Sequence, residues 1–212
     1  MKNNIVVVYS THLTEGENKR FEKHISDTIG VKHTIIGYEN HNQYSLSELY
    51  NHAIHNHKKK DCIFVMCHND IKFKTKKWGL ILLNKYNNYD YDIIGVAGSK
   101  YVPESGRWWE KRQHMYGIVD HTDGEKVWTS EFSKEKKGEI TPVVILDGLF
   151  MSFDPEMIIN KFDEDFKGFH FYDLGFTFPN YLDGNNIGVT TDIRILHESV
   201  GRTNQQWELN RQ

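Results

Sequence analysis

Short apolar runs alternate with longer polar segments through the first half of the chain. Ile5-Val6-Val7-Val8-Tyr9 is continuous, the pattern of a strand covered on both faces, and it ends on Ser10-Thr11. A polar, amphipathic stretch from about Asn18 to Ile29, closed by Gly30, predicts a helix, and His33 to Ile36 predicts a second strand. The next helix is better signalled. Ser45-x-x-Glu48 is a capping box, Leu46, Leu49, Tyr50, Ala53 and Ile54 recur at helical spacing, and Lys58-Lys59-Lys60 stops the pattern. Cys62 to Cys67 is a third strand, Trp78 to Leu83 belongs to a third helix, and Asp92 to Val96 is a fourth strand. Strand and helix in regular alternation predict an α/β fold with a mostly parallel central sheet and flanking helices. Ligand sites in such a sheet lie beyond the carboxyl ends of the strands.

The regularity fails from Gly98 to about Gly138, which reads as long loops with a hairpin among them, and loops of that length in a compact domain are usually functional or disordered. Val143 to Leu146 resumes as a strand ending on Asp147-Gly148, and Phe150 to Phe153 continues it. Asp154-Pro155-Glu156 has the cap and first-turn proline of a helix start. An aromatic cluster from Phe169 to Tyr172 leads to Asp173. Gly175 and Pro179 then stand where stronger helix formers would be needed. Ile187 to Val189 and Ile193 to Leu196 are late strands, the last ending on His197-Glu198, and Gly201 to Gln212 is left as a tail.

Composition narrows the function classes. A chain of 212 residues buries a full core as one domain, and 26 basic against 29 acidic residues leave no overall charge that asks for nucleic acid or an anionic membrane. A phosphate-bearing ligand must therefore be met locally. The only cysteines, Cys62 and Cys67, fall on opposite faces of one strand and cannot pair, which fits a reducing, cytoplasmic setting. No apolar run approaches a transmembrane span.

Phe64 to Cys67 runs straight into His68-Asn69-Asp70, so a buried strand ends on metal-seeking side chains. Asp147, Asp173 and His197 end other segments. In a parallel sheet such ends face one crevice, where a carboxylate and an imidazole hold a divalent cation and a second carboxylate takes a proton.

Taken in order, Ser10-Thr11, Tyr50-Asn51, His68-Asn69-Asp70, Ile94 to Gly98, Trp108-Trp109, Leu146 to Met151, Phe169 to Asp173 and Ile195 to Glu198 resemble the GT-A glycosyltransferases, especially the small family-2-like bacterial and viral ones. The resemblance covers nearly the whole chain. It implies a single GT-A domain over 1–212, with a nucleotide-binding half to about residue 100 and an acceptor- and sugar-binding half after it. His68-Asn69-Asp70 would be the Asp-x-Asp motif, with Asp70 as the ligand of Mn2+ or Mg2+. His68 stands where the family has its first Asp, and His197 matches a position that supplies a histidine to the same ion. Imidazole donors favour Mn2+.

Asp173 falls at the position of the general base for an inverting displacement. Asp147 and Gly148 match the sugar-binding turn, and Trp108 and Trp109 offer flat faces to sugars from the irregular loop. Ser10, Thr11, Glu39 and Asn69 match nucleoside contacts, Glu39 being suited to accept the imide hydrogen of uracil or thymine. The implied donor is a nucleotide diphosphate sugar of UDP or dTDP type, and the acceptor a glycan, lipid-linked or protein-linked hydroxyl. A nucleotidyltransferase shares the plan, but it would want a glycine-rich basic loop after the first strand, where Ser10 to Gly16 has one glycine and no lysine. A catalytically weak nucleotide- or glycan-binding module is the other alternative, distinguished by metal-dependent binding without turnover.

Overall fold

The computed structural model describes residues 1–57, 60–132, 138–199 and 205–211. In chain order the strands of the first half are β1 Asn4–Thr11, β2 His33–Glu39, β3 Cys62–Cys67, β4 Ile71–Phe73, β5 Ile93–Gly95 and β6 Ala97–Ser99. Helices α1 Glu15–Ile29, α2 Leu46–His57 and α3 Trp78–Asn88 alternate with them. The second half adds β7 Met115–Thr122, β8 Val127–Glu131, β9 Ile140–Pro142, β10 Ile145–Leu146, β11 Phe150–Phe153, α4 Tyr172–Leu182, β12 Ile187–Thr190, β13 Ile195–His197 and α5 Gln205–Arg211.

A seven-stranded sheet runs β2-β1-β3-β11-β5-β12-β9. Neighbours β2, β1 and β3 are parallel, as are β5 and β12, whereas β11 inserts antiparallel between β3 and β5, and β9 lies antiparallel on β12. The sheet is therefore mixed rather than purely parallel. Period-two alternation divides its core into two layers. Ile5, Val7, Ile63, Val65 and Cys67 pack on one face with α1 and α3 through Phe21, Ile25, Trp78 and Leu82. Val6, Val8, Cys62, Phe64 and Met66 pack on the other with α2 and α4 through Leu46, Tyr50, Tyr172 and Phe176. The two cysteines thus sit in opposite layers and are not joined by a disulfide.

The Ser45 box forms in both directions: Ser45 N–H donates to Glu48 Oε2 at 2.7 Å, and Glu48 N–H to Ser45 Oγ at 3.2 Å. The helix runs to His57, and Lys58 and Lys59 lie outside the described residues.

Four expectations need correction. Asp154-Pro155-Glu156 makes a single turn rather than a helix, because the Asn180 and Asn185 side chains take the Ile159 and Asn160 amides that a helix would bond internally. β10 and β11 are not one strand: the Asp147–Leu149 turn sends them to different sheets. A helix does form at Tyr172, since burial of Tyr172 and Phe176 outweighs the poor formers, and Gly175 is required where a Cβ would strike the Phe166 ring. The tail carries α5, with Trp207 buried.

A second sheet, β10-β6-β7-β13-β4, stands beside the first, and β8 pairs with β7 to complete the hairpin. Among the described residues no helix is long and apolar enough to cross a membrane.

Candidate functional site

A cavity of about 910 Å³ opens where β1 and β3 end and the second sheet begins. Three corners of it carry the polar residues.

At the first corner, β3 gives way to His68-Asn69-Asp70, and β4 starts one residue later. Because β4 pairs antiparallel with β13 with Ile71 opposite His197, the sheet register itself brings His197 across from Asp70. The Glu198 N–H seals this by donating to the Asp70 carbonyl at 2.7 Å. Asp70 Oδ1 lies 3.5 Å from His197 Nε2 and 3.7 Å from His68 Nδ1. One ligand atom from each residue falls within 4.8 Å of the others. These separations are too long for good hydrogen bonds, and Asp70 Oδ1 is left buried without a donor.

Such an orphaned carboxylate oxygen between two imidazoles fits a divalent cation, and the one-oxygen, two-nitrogen donor set suits Mn2+ better than Mg2+. Burial alone would raise the Asp70 pKa, but the two imidazoles outweigh it and hold the carboxyl far below its ordinary range. Burial pushes His68 down towards the neutral, ligating form. It also works against charge on His197, yet the Asp70 carboxylate wins there and raises it. His68 Nε2 is fixed by the Tyr172 hydroxyl at 2.9 Å, and His197 Nε2 lies 3.0 Å from Ser199 Oγ.

Asp147, Gly148 and Asp173 make the second corner. Asp173 opens α4 and accepts the Gly148 N–H at 3.0 Å and the Leu174 N–H at 2.9 Å. Those amides favour its charge, but burial first and the Asp147 carboxylate second raise its pKa to about 7. A side chain at Gly148 would overlap the Tyr172 hydroxyl, so glycine is what lets the turn and α4 close up.

The third corner is formed by Ser10, Thr11 and Asn69. Thr11 Oγ1 donates to Asn18 Oδ1 at 2.9 Å and accepts from Asn69 Nδ2 at 3.0 Å, tying the ends of β1 and β3 together. Glu39 is not brought to the cavity. It lies in register with Thr11 on β2 but is exposed by strand alternation, and the rim there is made by Asn40, His41 and Asn42. Trp108 and Trp109 do reach the cavity, Trp108 buried and Trp109 exposed, with Trp109 backed by Trp207 at 6.4 Å.

Several lining residues escaped the sequence reading. Tyr172 was visible only as an aromatic neighbour of Asp173, and its link to His68 spans 104 positions. His121, Trp128 and Ser130 arrive on the β7–β8 hairpin. The Asp123-Gly124 pair between those strands is the signal that would have located it.

The architecture is that of the GT-A fold. A family model described as "Glycosyltransferase like family" matches residues 5–211, and the chain belongs to that family. No curated protein sequence matches it. Among solved structures it is similar to A197 from STIV, at 12% identity and TM-score 0.51, covering 95% of this chain and 87% of that one. It is similar also to GalNAc-T7, solved with UDP, GalNAc and Mn2+, at 7% identity and TM-score 0.62, covering 98% of this chain and 45% of that one. A third is the mannosyltransferase PcManGT from Pyrobaculum calidifontis, solved with GDP-Man and Mn2+, at 11% identity and TM-score 0.55, covering 100% and 61%. The chain therefore spans about half to two thirds of the latter two.

Proposed function

We propose that the protein is an inverting, metal-dependent glycosyltransferase that moves a sugar from a UDP- or dTDP-type donor to a hydroxyl of a glycan, lipid-linked or protein-linked acceptor. The observation that carries this reading is the pairing, in one cavity, of an Asp70 carboxylate whose Oδ1 stands without a donor between two imidazoles with a second carboxylate, Asp173, whose pKa is raised to about 7.

Asp70, His197 and His68 would hold Mn2+ or Mg2+, which when bound neutralises the donor diphosphate. Ser10, Thr11 and Asn69 bind the nucleoside end, and Asp147 accepts hydrogen bonds from sugar hydroxyls beside the Gly148 backbone. Asp173 takes the proton of the acceptor hydroxyl, whose oxygen forms a bond to the anomeric carbon as the bond to the nucleotide diphosphate breaks on the opposite face. One displacement inverts the configuration. A base that titrates near neutral pH is matched to this task, because about half of it is ionised there while it remains basic enough to take the proton. Trp108 and Trp109 bound the site and limit water. Cys62 and Cys67, buried and unbridged, support a reducing, cytoplasmic setting.

Isothermal titration with UDP, in Mn2+ and then in EDTA, tests the reading. Binding that requires both the metal and Asp70 is expected. Equal binding in EDTA, or by Asp70→Ala, would remove its basis.

A further inference from the structure

Beyond the three corners, the cavity has a fourth wall, made by the β7–β8 hairpin. Alternation turns Met115, Val119 and His121 of β7, with Trp128 and Ser130 of β8, towards the cavity. The wall is apolar at depth and changes at the rim to an imidazole, an indole and a hydroxyl. His121 and Trp128 are directly opposed across the strands, and their rings stack at 5.6 Å and 17°. Trp128 is nevertheless 39% exposed, so part of its ring stays open to a ligand.

The hairpin is fixed from behind. Asp120, 1% exposed on the outer face, accepts from Thr129 of β8 at 2.5 Å, and its carboxylate pairs with Lys74 and Arg194, each at 2.8 Å. These contacts lock β7 and β8 to β13 and to the end of β4. The wall is also continuous with the candidate metal corner: His121 lies in register with His197 on parallel β13, and their rings are 5.8 Å apart. Two strand spacings, roughly 10 Å, separate His197 from Trp128. At about 910 Å³ the cavity stands near the top of the ~300–1,000 Å³ range of ligand sites, and its lining runs continuously from the metal corner to this hairpin.

We propose that His121, Trp128 and Ser130 form a sugar-ring platform, on which the apolar face of a sugar stacks on the Trp128 indole, the His121 ring backs that indole from its other side, and a sugar hydroxyl meets the Ser130 hydroxyl. The assignment rests on the glycosyltransferase reading above. Flat indole with adjacent donors and acceptors is what a ring with one C–H face and a rim of hydroxyls requires, and a preformed platform loses little side-chain freedom on binding. The ring comes either from the donor sugar or from a glycan acceptor.

The test compares wild type with Trp128→Ala, Trp128→Phe and Ser130→Ala. Titration in Mn2+ with UDP, UDP-glucose, UDP-galactose and GDP-mannose forms one arm. An array of glucose-, galactose-, mannose- and N-acetylglucosamine-terminated oligosaccharides, probed with UDP and Mn2+ present, forms the other. About a tenfold loss in Trp128→Ala, largely restored by Trp128→Phe, with UDP affinity unchanged, is expected in one arm. Loss confined to nucleotide sugars assigns the ring to the donor, and loss confined to the array assigns it to the acceptor. If wild type and Trp128→Ala agree within about twofold in both arms, including the case where neither binds any sugar, the platform does not exist. Failure of UDP itself to bind wild type would instead overturn the donor-site reading, leaving the array to judge the platform.

Discussion

Asp70 and Asp173 face the same cavity, and their surroundings drive them in opposite directions. Both pay a desolvation penalty that favours the protonated acid. Asp70 has the imidazoles of His68 and His197 beside it and is held as an anion. Asp173 has another carboxylate, Asp147, and is raised to about 7. Two carboxylates with pKa values pushed apart by neighbours are the usual sign of divided labour, one serving as a fixed charge and the other as a proton carrier. The two corners are also mechanically joined. Tyr172 braces His68 through its hydroxyl, Asp173 is the next residue, and Gly148 both donates to Asp173 and leaves the space in which the Tyr172 hydroxyl sits.

If the division is real, the largest effect is expected at the proposed base. Asp173→Asn keeps the size of the side chain but accepts no proton, and turnover is expected to fall by about 10²–10⁴ while UDP affinity in Mn2+ stays within about twofold. Wild-type turnover should rise with pH through a midpoint near 7, since Asp173 is protonated and idle below it. A rate that is flat from pH 6 to 8, or a variant that retains most of its turnover, would remove Asp173 from the role. Asp70→Ala should show the converse signature: UDP affinity in Mn2+ is expected to drop about 100-fold or more, to the level wild type shows in EDTA. Titration calorimetry separates the two, because only Asp70→Ala should lose its response to metal.

Much of this arrangement was legible from the residues themselves, and the rest was hidden for identifiable reasons. Continuous apolar runs such as Ile5 to Tyr9 and Cys62 to Cys67 announce buried strands, and the ends of such strands drew attention to His68-Asn69-Asp70. An apolar run does not record its direction, so the antiparallel insertion of Phe150–Phe153 between parallel neighbours left no trace. Ile71–Phe73 is too short for any period to show, yet its pairing with β13 aligns Asp70 with His197. The helix at Tyr172 is concealed by Gly175 and Pro179, residues whose presence is explained only by packing. Glu39 was misplaced by one strand alternation. Its neighbour Asn40, not Glu39, reaches the cavity rim.

The mechanical link between the corners gives a smaller effect. Tyr172→Phe removes the hydroxyl 2.9 Å from His68 Nε2 and leaves the buried ring in place. A residue that orients a ligand is worth about 10–100-fold in metal affinity, and with Asp70 and His197 intact the expected loss is about tenfold, read as a shift in the Mn2+ concentration needed for UDP binding. Asp173 should keep its pH midpoint. A shift of that midpoint without loss of Mn2+ response would mean that Tyr172 serves the base corner and not the metal corner.

The smallest effect concerns stability. A carboxyl whose folded pKa is about 7, against an ordinary aspartate value of 3.8, favours folding in its protonated form. That contribution is intact below about pH 3.8, is lost progressively as pH rises towards 7, and is absent above it. Asp173→Asn is neutral throughout and escapes the loss. It also presents one oxygen where two amides, Gly148 N–H and Leu174 N–H, now donate to the carboxylate, so its absolute stability carries a cost of its own. That cost does not depend on pH and cancels when two pH values are compared. The melting temperature of the variant relative to wild type is therefore expected to be higher at pH 8 than at pH 5, by roughly 2–4 °C if the difference is on the order of 1 kcal/mol. Identical offsets at the two pH values would show that Asp173 is ionised at both, and the opposition between the two carboxylates would then have to be rebuilt on geometry alone.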